Sequence, residues 1–242
     1  MRPIAIIQAR MDSVRLPGKV LEPLCDDVVL GYVITRCLQS KKLSEVILAT
    51  SESPVDDCLA EFAASRSIPV FRGSKNDVLG RYVKAAEWRS AEVVVRITAD
   101  CPLIAPEVID KAVVLYEMQS PDYAYIDGYP IGLGAAEVLR VSAIKQVCKE
   151  VTSGANYYRE HVVPYLLENP DRFKLAIEQA EPQCCRPELR VCVDEPVDLE
   201  VVCRICEYFY PQKDFSAYEV IEFLDKNPAV AAINKGVKQK TT

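Results

Sequence analysis

Apolar residues in the first half of the chain fall into two alternating patterns. Compact apolar runs occupy Pro3–Gln8, Val46–Thr50, Val70–Phe71 and Val93–Thr98. Between them, Val28–Gln39, Asp56–Ser65 and Asp77–Arg89 carry apolar residues at helical spacing, with Val29, Tyr32, Val33, Arg36 and Cys37 along one side. A run that is apolar at successive positions, rather than at every second one, belongs to a strand buried on both faces. Such strands alternating with helices predict a mostly parallel sheet covered on two sides, the α/β class. Pro106–Met118 continues the series as a helix. Pro106 suits its first turn, where a missing N–H leaves nothing unsatisfied.

Beyond about Ser120 the runs shorten. Tyr123–Ile126, Ala136–Val141, Phe173–Ile177 and Arg190–Val193 read as strands, and Ser142–Val151 and Tyr157–Leu167 as helices. Val197–Tyr210 predicts an amphipathic helix with Leu199, Val202, Ile205, Cys206 and Phe209 on one side. Ser216-Ala217-Tyr218-Glu219 has the capping-box spacing that opens a last helix to Asp225, and Asn227-Pro228 closes it. A lysine-rich tail from Lys235 is expected to be mobile. No repeat or linker divides the chain, so one domain over residues 1–242 is expected.

The 242 residues suffice for one sizeable core, and 50% hydrophobic with 26% charged residues is ordinary globular composition. A net charge of −6 argues against general nucleic-acid affinity, although a local basic loop can still hold a nucleotide. No stretch approaches the roughly 18 apolar residues that span a membrane. Pro3 to Ile7 is too short and too close to charge for a secretion leader, so a cytoplasmic location is the expectation. The ten cysteines, Cys25, Cys37, Cys58, Cys101, Cys148, Cys184, Cys185, Cys192, Cys203 and Cys206, are scattered, and there is one histidine. With Cys203 and Cys206 as a lone C-x-x-C pair, free thiols are expected rather than disulfides or structural zinc.

Three strings carry chemistry. Ile6 to Lys19 is a buried strand opening into a loop with Arg10, Ser13, Arg15 and Lys19, turned by Pro17-Gly18. Cations, a hydroxyl and backbone N–H groups in one loop suit a polyphosphate, although the spacing is neither that of a Walker A loop nor that of a dinucleotide fingerprint. Val93 to Ile104 is a strand ending in Thr98-Ala99-Asp100 before Pro102. Ligands of open α/β sheets bind beyond such strand ends, and a carboxylate there offers the hard oxygen that Mg²⁺ prefers, or caps the next turn. Arg190 to Glu200 repeats the arrangement, with Asp194 at the strand end and Asp198 and Glu200 in the first turn of a helix.

These strings, in this order over about residues 1–210, resemble the cytidylyltransferases that activate sugar acids. The spore-coat-polysaccharide type is closest, and the acylneuraminate and 3-deoxy-manno-octulosonate enzymes are further off. The resemblance implies a nucleotide-diphospho-sugar transferase-like fold, a three-layer α/β/α sandwich with a mixed, mostly parallel sheet. It implies that Gln8, Ala9, Arg10, Ser13, Arg15 and Lys19 grip the nucleotide, joined by Arg81 and Thr98, and that Asp100 and Asp194 bind Mg²⁺. Arg10, Lys19, Asp100 and Asp194 are then the catalytic set.

Two further segments match. Gly73-Ser74-Lys75-Asn76-Asp77-Val78-Leu79-Gly80-Arg81 resembles a family segment near the nucleotide, in which the residue pattern itself makes Asp77 a helix cap. Arg159-Glu160-His161-Val162-Val163-Pro164-Tyr165, with Glu137 after Gly132 and Gly134, resembles segments bordering the sugar. Glu137, Arg159 and His161 thereby become acceptor-side residues, although a lone helical histidine is more often a packing residue. Ala99 and Gly134 replace the family's usual Gly and Asp, and Ala99 would be strained if its φ were positive. The implied reaction moves CMP from CTP to an acidic sugar or other anionic acceptor, releasing pyrophosphate, for surface polysaccharide or glycoconjugate synthesis. A homodimer is implied, with residues of about 120–180 forming the acceptor side. A glycosyltransferase of the same fold and a nucleotide-binding module without turnover are the alternatives.

Overall fold

In the computed structural model, which describes residues 2–151 and 156–238, the apolar runs of the first half are buried parallel strands. The strands in chain order are β1 (Ile4–Gln8), β2 (Pro23–Leu24), β3 (Asp27–Val28), β4 (Glu45–Ser51), β5 (Val70–Gly73), β6 (Val93–Thr98), β7 (Tyr123–Asp127), β8 (Glu137–Arg140) and β9 (Leu175–Gln179). Seven of them form one sheet in the order β5-β4-β1-β6-β8-β7-β9, and β2 and β3 form a small hairpin. β1 runs parallel to both β4 and β6, whereas β8 is antiparallel to both β6 and β7. The sheet is therefore mixed and mostly parallel, as expected.

Side chains of β1 alternate between two cores. Ala5 and Ile7 pack with helices Val29–Leu38, Asp57–Ser65, Pro106–Gln119, Pro196–Phe209 and Ala217–Lys226. Ile4 and Ile6 pack on the opposite face with helices Val78–Trp88 and Val141–Glu150 and with Val162, Val163 and Leu166. Each fully buried aliphatic side chain stabilises the fold by about 1.5–3 kcal/mol, so both layers hold the sheet firmly. Arg36, wholly buried, donates to the carbonyls of Ile104 (2.7 Å), Lys213 (3.0 Å) and Phe215 (2.9 Å), tying the C-terminal segment to the core. Burial lowers its pKa to about 10. Among the described residues no helix is long and apolar enough to cross a membrane.

Three expectations change. Arg190–Val193 is not a ladder strand: Arg190 makes one bridge to Ile131, and the Val191 and Val193 N–H groups donate to Ile131 and Asp100 (2.8 and 2.7 Å). Its apolarity reflects burial between two loops, not sheet pairing. Tyr157–Leu167 is two helices, Asn156–His161 and Pro164–Leu167, separated at Val162, whose φ is 68°. Pro164 has no N–H for a continuous helix to use, so the break falls just before it. Asn227-Pro228 ends one helix but starts another short one, Pro228–Ala231. The β2–β3 hairpin was not foreseen, because two-residue strands leave no periodicity to read. The capping box forms in full: Glu219 N–H donates to Ser216 Oγ (3.3 Å) and Ser216 N–H to Glu219 Oε2 (2.7 Å). Residues 239–242 of the lysine-rich tail lie outside the described residues.

Candidate active site

The C-terminal ends of β1 and β6 open onto a cleft of about 610 Å³. Its lining includes Gln8, Ala9, Arg10, Ser13, Arg15, Lys19, Thr98, Asp100, Glu137, His161 and Asp194. The loop after β1 is shaped by Gly18, whose φ of 75° suits glycine and whose N–H closes onto the Met11 carbonyl at 2.9 Å. Met11 N–H is anchored on Asp56 at 2.8 Å. The N–H groups of Ser13, Val14 and Arg15 have no partner among the described residues, an arrangement suited to anion oxygens. Arg10 donates to the Lys75 carbonyl (3.1 Å) and lies 3.7 Å from both Asp12 and Glu160.

Asp100 and Asp194, far apart in sequence, meet at Lys19. The Lys19 ammonium donates to Asp100 Oδ2 at 2.7 Å and to Asp194 Oδ1 at 2.8 Å. The two oxygens thus lie no farther apart than those two bonds laid end to end. Two features bring the segments together: Val193 N–H donates to the Asp100 carbonyl (2.7 Å), and Gly132 lets its loop pack against residue 192. A Cβ on Gly132, at φ 103°, would stand 2.7 Å from the Cys192 nitrogen. Asp194 also accepts from Arg15 (2.8 Å) and Arg190 (2.5 Å).

Burial pulls the Lys19 pKa down, but Asp100 and Asp194 outweigh it and the net shift is upward. Burial pushes Asp194 up, and Lys19, Arg190 and Arg15 reverse this to a net lowering. The sign follows for each. Asp194's contribution to stability is present above the ordinary aspartate range and lost as pH falls through its lower folded value. That of Lys19 is present below the ordinary lysine range and lost as pH rises through its higher folded value. Between those limits both groups stay charged.

A buttress lies behind Asp194 that the sequence did not disclose. Asp198 is fully buried and accepts from the N–H groups of Asp194 and Glu195 (both 3.0 Å) and from Arg190 Nε (2.9 Å). Asn234, near the end of the described chain, donates to Asp198 Oδ1 (2.8 Å) and to the Arg190 carbonyl (3.1 Å). Asp198 was read only as a first-turn acid, and Asn234 sits in a polar stretch with no pattern to mark it.

Two expected site residues are elsewhere. Arg81 does not line the cleft; it is 1% exposed, donates to the Ser74 carbonyl (2.6 Å), and its Nε and Nη2 have no partner among the described residues. Arg159 also faces away from the cleft. It donates to Cys148 O and Val151 O and pairs with Asp77 at 3.0 Å, so it joins the end of helix Val141–Glu150 to the cap of helix Val78–Trp88. Asp77 caps that second helix, accepting from Gly80 N–H at 2.9 Å. We expect Arg159→Ala to lower unfolding stability by about 1.5–3 kcal/mol while the Kd for CTP stays near wild type. Unchanged denaturant stability with impaired acceptor use would return Arg159 to the acceptor side.

Ala99 is unstrained, since it is not among the described residues with positive φ. Gly134 has a packing reason: a Cβ there would meet Tyr129 Cβ at 2.8 Å. All ten cysteines are free thiols.

The fold is that of nucleotide-diphospho-sugar transferase-like α/β proteins, and comparison with known proteins narrows the class. The Cytidylyltransferase family model matches residues 4–225, and the chain belongs to that family. It is 33% identical to spore coat polysaccharide biosynthesis protein SpsF of Bacillus subtilis (strain 168), covering 93% of this chain and 95% of that protein. It is 36% identical, over 100% of this chain and 98% of the relative, to an uncharacterised protein of Methanocaldococcus jannaschii. The solved structure of a cytidylyltransferase from Leptospira borgpetersenii superposes with a TM-score of 0.89 at 32% identity, with both chains fully covered.

Proposed function

We propose that this chain transfers CMP from CTP to a hydroxyl of a sugar-like acceptor and releases pyrophosphate. The observation that carries this reading is a single cleft in which a cationic loop with free N–H groups faces two carboxylates from separate strand ends. Arg10, Arg15, Lys19 and the loop N–H groups would hold the β- and γ-phosphates. The acceptor oxygen attacks the α-phosphorus in line; its bond to phosphorus forms as the bond to the bridging oxygen breaks, and pyrophosphate leaves. Arg10, Arg15 and Lys19 offset the charge that develops on the leaving group, and the walls of the cleft align the two reactants.

The site fits a hard divalent cation. Two carboxylate oxygens already converge on one ammonium, and Mg²⁺ characteristically takes one or two carboxylates together with phosphate oxygens. Among the described residues no group of three protein ligands suited to a metal occurs, so phosphate oxygens would complete the shell. Asp100 and Asp194 would hold the ion, which when bound supplies charge neutralisation at the α-phosphate.

The resemblance in sequence implied an anionic acceptor held by Arg159. That arginine is engaged with Asp77 and backbone carbonyls, so the reading proposed here requires only an acceptor hydroxyl. A pyrophosphate-release screen of four nucleoside triphosphates against sugars, alditols and sugar acids tests it. Release with CTP alone among the four is expected. CTP binding without release would mark a non-catalytic module, and consumption of a nucleotide sugar would mark a glycosyltransferase.

A further inference from the structure

The loop that the triphosphate would occupy carries an acid of its own. Asp12 lies between Arg10 and Ser13 in the lining of the cleft. A hydrogen bond from Lys75 holds its carboxyl below the ordinary aspartate range, and Arg10 and the N–H of Asp12 itself add to this against the opposing effect of burial. Asp12 is therefore ionised at neutral pH. Left unanswered, a carboxylate beside the N–H groups of Ser13, Val14 and Arg15 repels the phosphate oxygens that those groups suit.

Lys75, in the segment between β5 and helix Val78–Trp88, answers that charge. Its ammonium lies 2.6 Å from Asp12 Oδ2, and its carbonyl accepts from Arg10 Nη1 at 3.1 Å. Both polar ends of one residue thus hold charged residues of the nucleotide loop. The segment is itself fixed from behind. The Ser74 carbonyl accepts from the buried Arg81 (2.6 Å), Ser74 Oγ accepts from Asp77 N–H (3.2 Å), and Asp77 caps the helix. Lys75 is outside the lining of the cleft, so it acts on a nucleotide through Asp12. Stability does not account for the pair. The Lys75 and Asp12 side chains are 45% and 32% exposed, and ion pairs so open to water add little to folding. Among the described residues Arg10, 3.7 Å away, is the other cation close to Asp12. Once Arg10 turns to a phosphate, as the proposed function requires, Lys75 is left to balance Asp12.

We propose that Lys75 is a positioning residue of the nucleotide site: by holding and neutralising Asp12, it keeps the loop after β1 receptive to the β- and γ-phosphates. This rests on the CMP-transfer reading and adds to its nucleotide site a residue that touches no phosphate. With Asp12 and Lys75 cancelling each other, the charges of Arg10, Arg15 and Lys19 remain for the triphosphate. With Lys75 removed, part of that charge is spent on Asp12.

The test is calorimetry of CTP and of CMP with the wild-type chain, Lys75→Ala, Asp12→Asn and the double variant Asp12→Asn/Lys75→Ala, with thermal unfolding as the check on folding. Absence of CTP binding by the wild-type chain would overturn the CMP-transfer reading itself. With binding established, Lys75→Ala should raise the Kd for CTP about three- to tenfold and that for CMP less than about twofold, with the melting temperature nearly unchanged. The double variant should return the Kd for CTP to within about twofold of wild type, because the charge that Lys75 answers is gone. That rescue separates the proposed role from two others. A lysine that only tethers the loop, or one that itself touches the phosphates, is not replaced by removing Asp12. Lys75→Gln serves in both backgrounds if the alanine variant impairs folding. Unchanged CTP affinity in Lys75→Ala, equal losses for CTP and CMP, or a double variant as weak as Lys75→Ala would each overturn the assignment and leave the CMP-transfer reading standing.

Discussion

Asp194→Asn will lower turnover by about two to three orders of magnitude at saturating CTP and Mg²⁺, the scale seen when one pre-arranged electrostatic contact to a transition state is lost. Its effect on stability will exceed that of Asp100→Asn. Asp194 is a common counter-charge for Lys19, Arg15 and Arg190 at 2.8, 2.8 and 2.5 Å, and an amide leaves three neighbouring cations with less compensation. A loss of about 1–3 kcal/mol is expected for Asp194→Asn. Among the described residues Asp100 has only Lys19 as a close cationic partner, so its asparagine variant should lose turnover to a similar degree with little change in melting temperature. Kinetics and thermal unfolding of both variants check the pair of effects. Turnover within a few-fold of wild type in either variant would remove that carboxylate from the reaction.

Lys19→Ala will weaken CTP binding by about 1.5–3 kcal/mol, the range of a charge-assisted hydrogen bond, and will weaken CMP binding far less. CMP has no β- or γ-phosphate for the ammonium to reach. Equal losses for the two ligands in calorimetry would place Lys19 outside the triphosphate site. The geometry adds an opposite effect. In the absence of nucleotide Lys19 stands between the two carboxylates that would hold a metal, so it competes with that metal. The alanine variant, titrated with Mg²⁺ alone, should bind it more tightly than wild type.

What could be read from the sequence follows the physics of each signal. β1, β4 and β6 are buried on both faces, and that burial writes continuous apolar runs. Asp100 and Asp194 were visible because each ends such a run, although their meeting depends on tertiary contacts made by Val193 and Gly132. Arg190–Val193 was misread as a strand because burial in a loop junction produces the same apolar pattern as a sheet. Arg81 and Arg159 were misplaced for a different reason. A long arginine can swing toward either side of its helix, and spacing does not reveal which carbonyls it will satisfy. The gathering of Asp127, Glu137 and Glu160 along one side of the cleft was likewise illegible, since they come from separate elements.

Asn234 sets where a working fragment can end. The family match stops at residue 225, and a truncation there would keep the nucleotide loop and the Asp100 and Asp194 motifs. It would also remove the amide that holds Asp198 and the Arg190 carbonyl, leaving the support of Asp194 short of a donor inside the protein. For expression and tagging, the enzyme therefore extends at least through residue 234. A fusion partner joined upstream of that position would be grafted onto the support behind Asp194, not onto a dispensable tail.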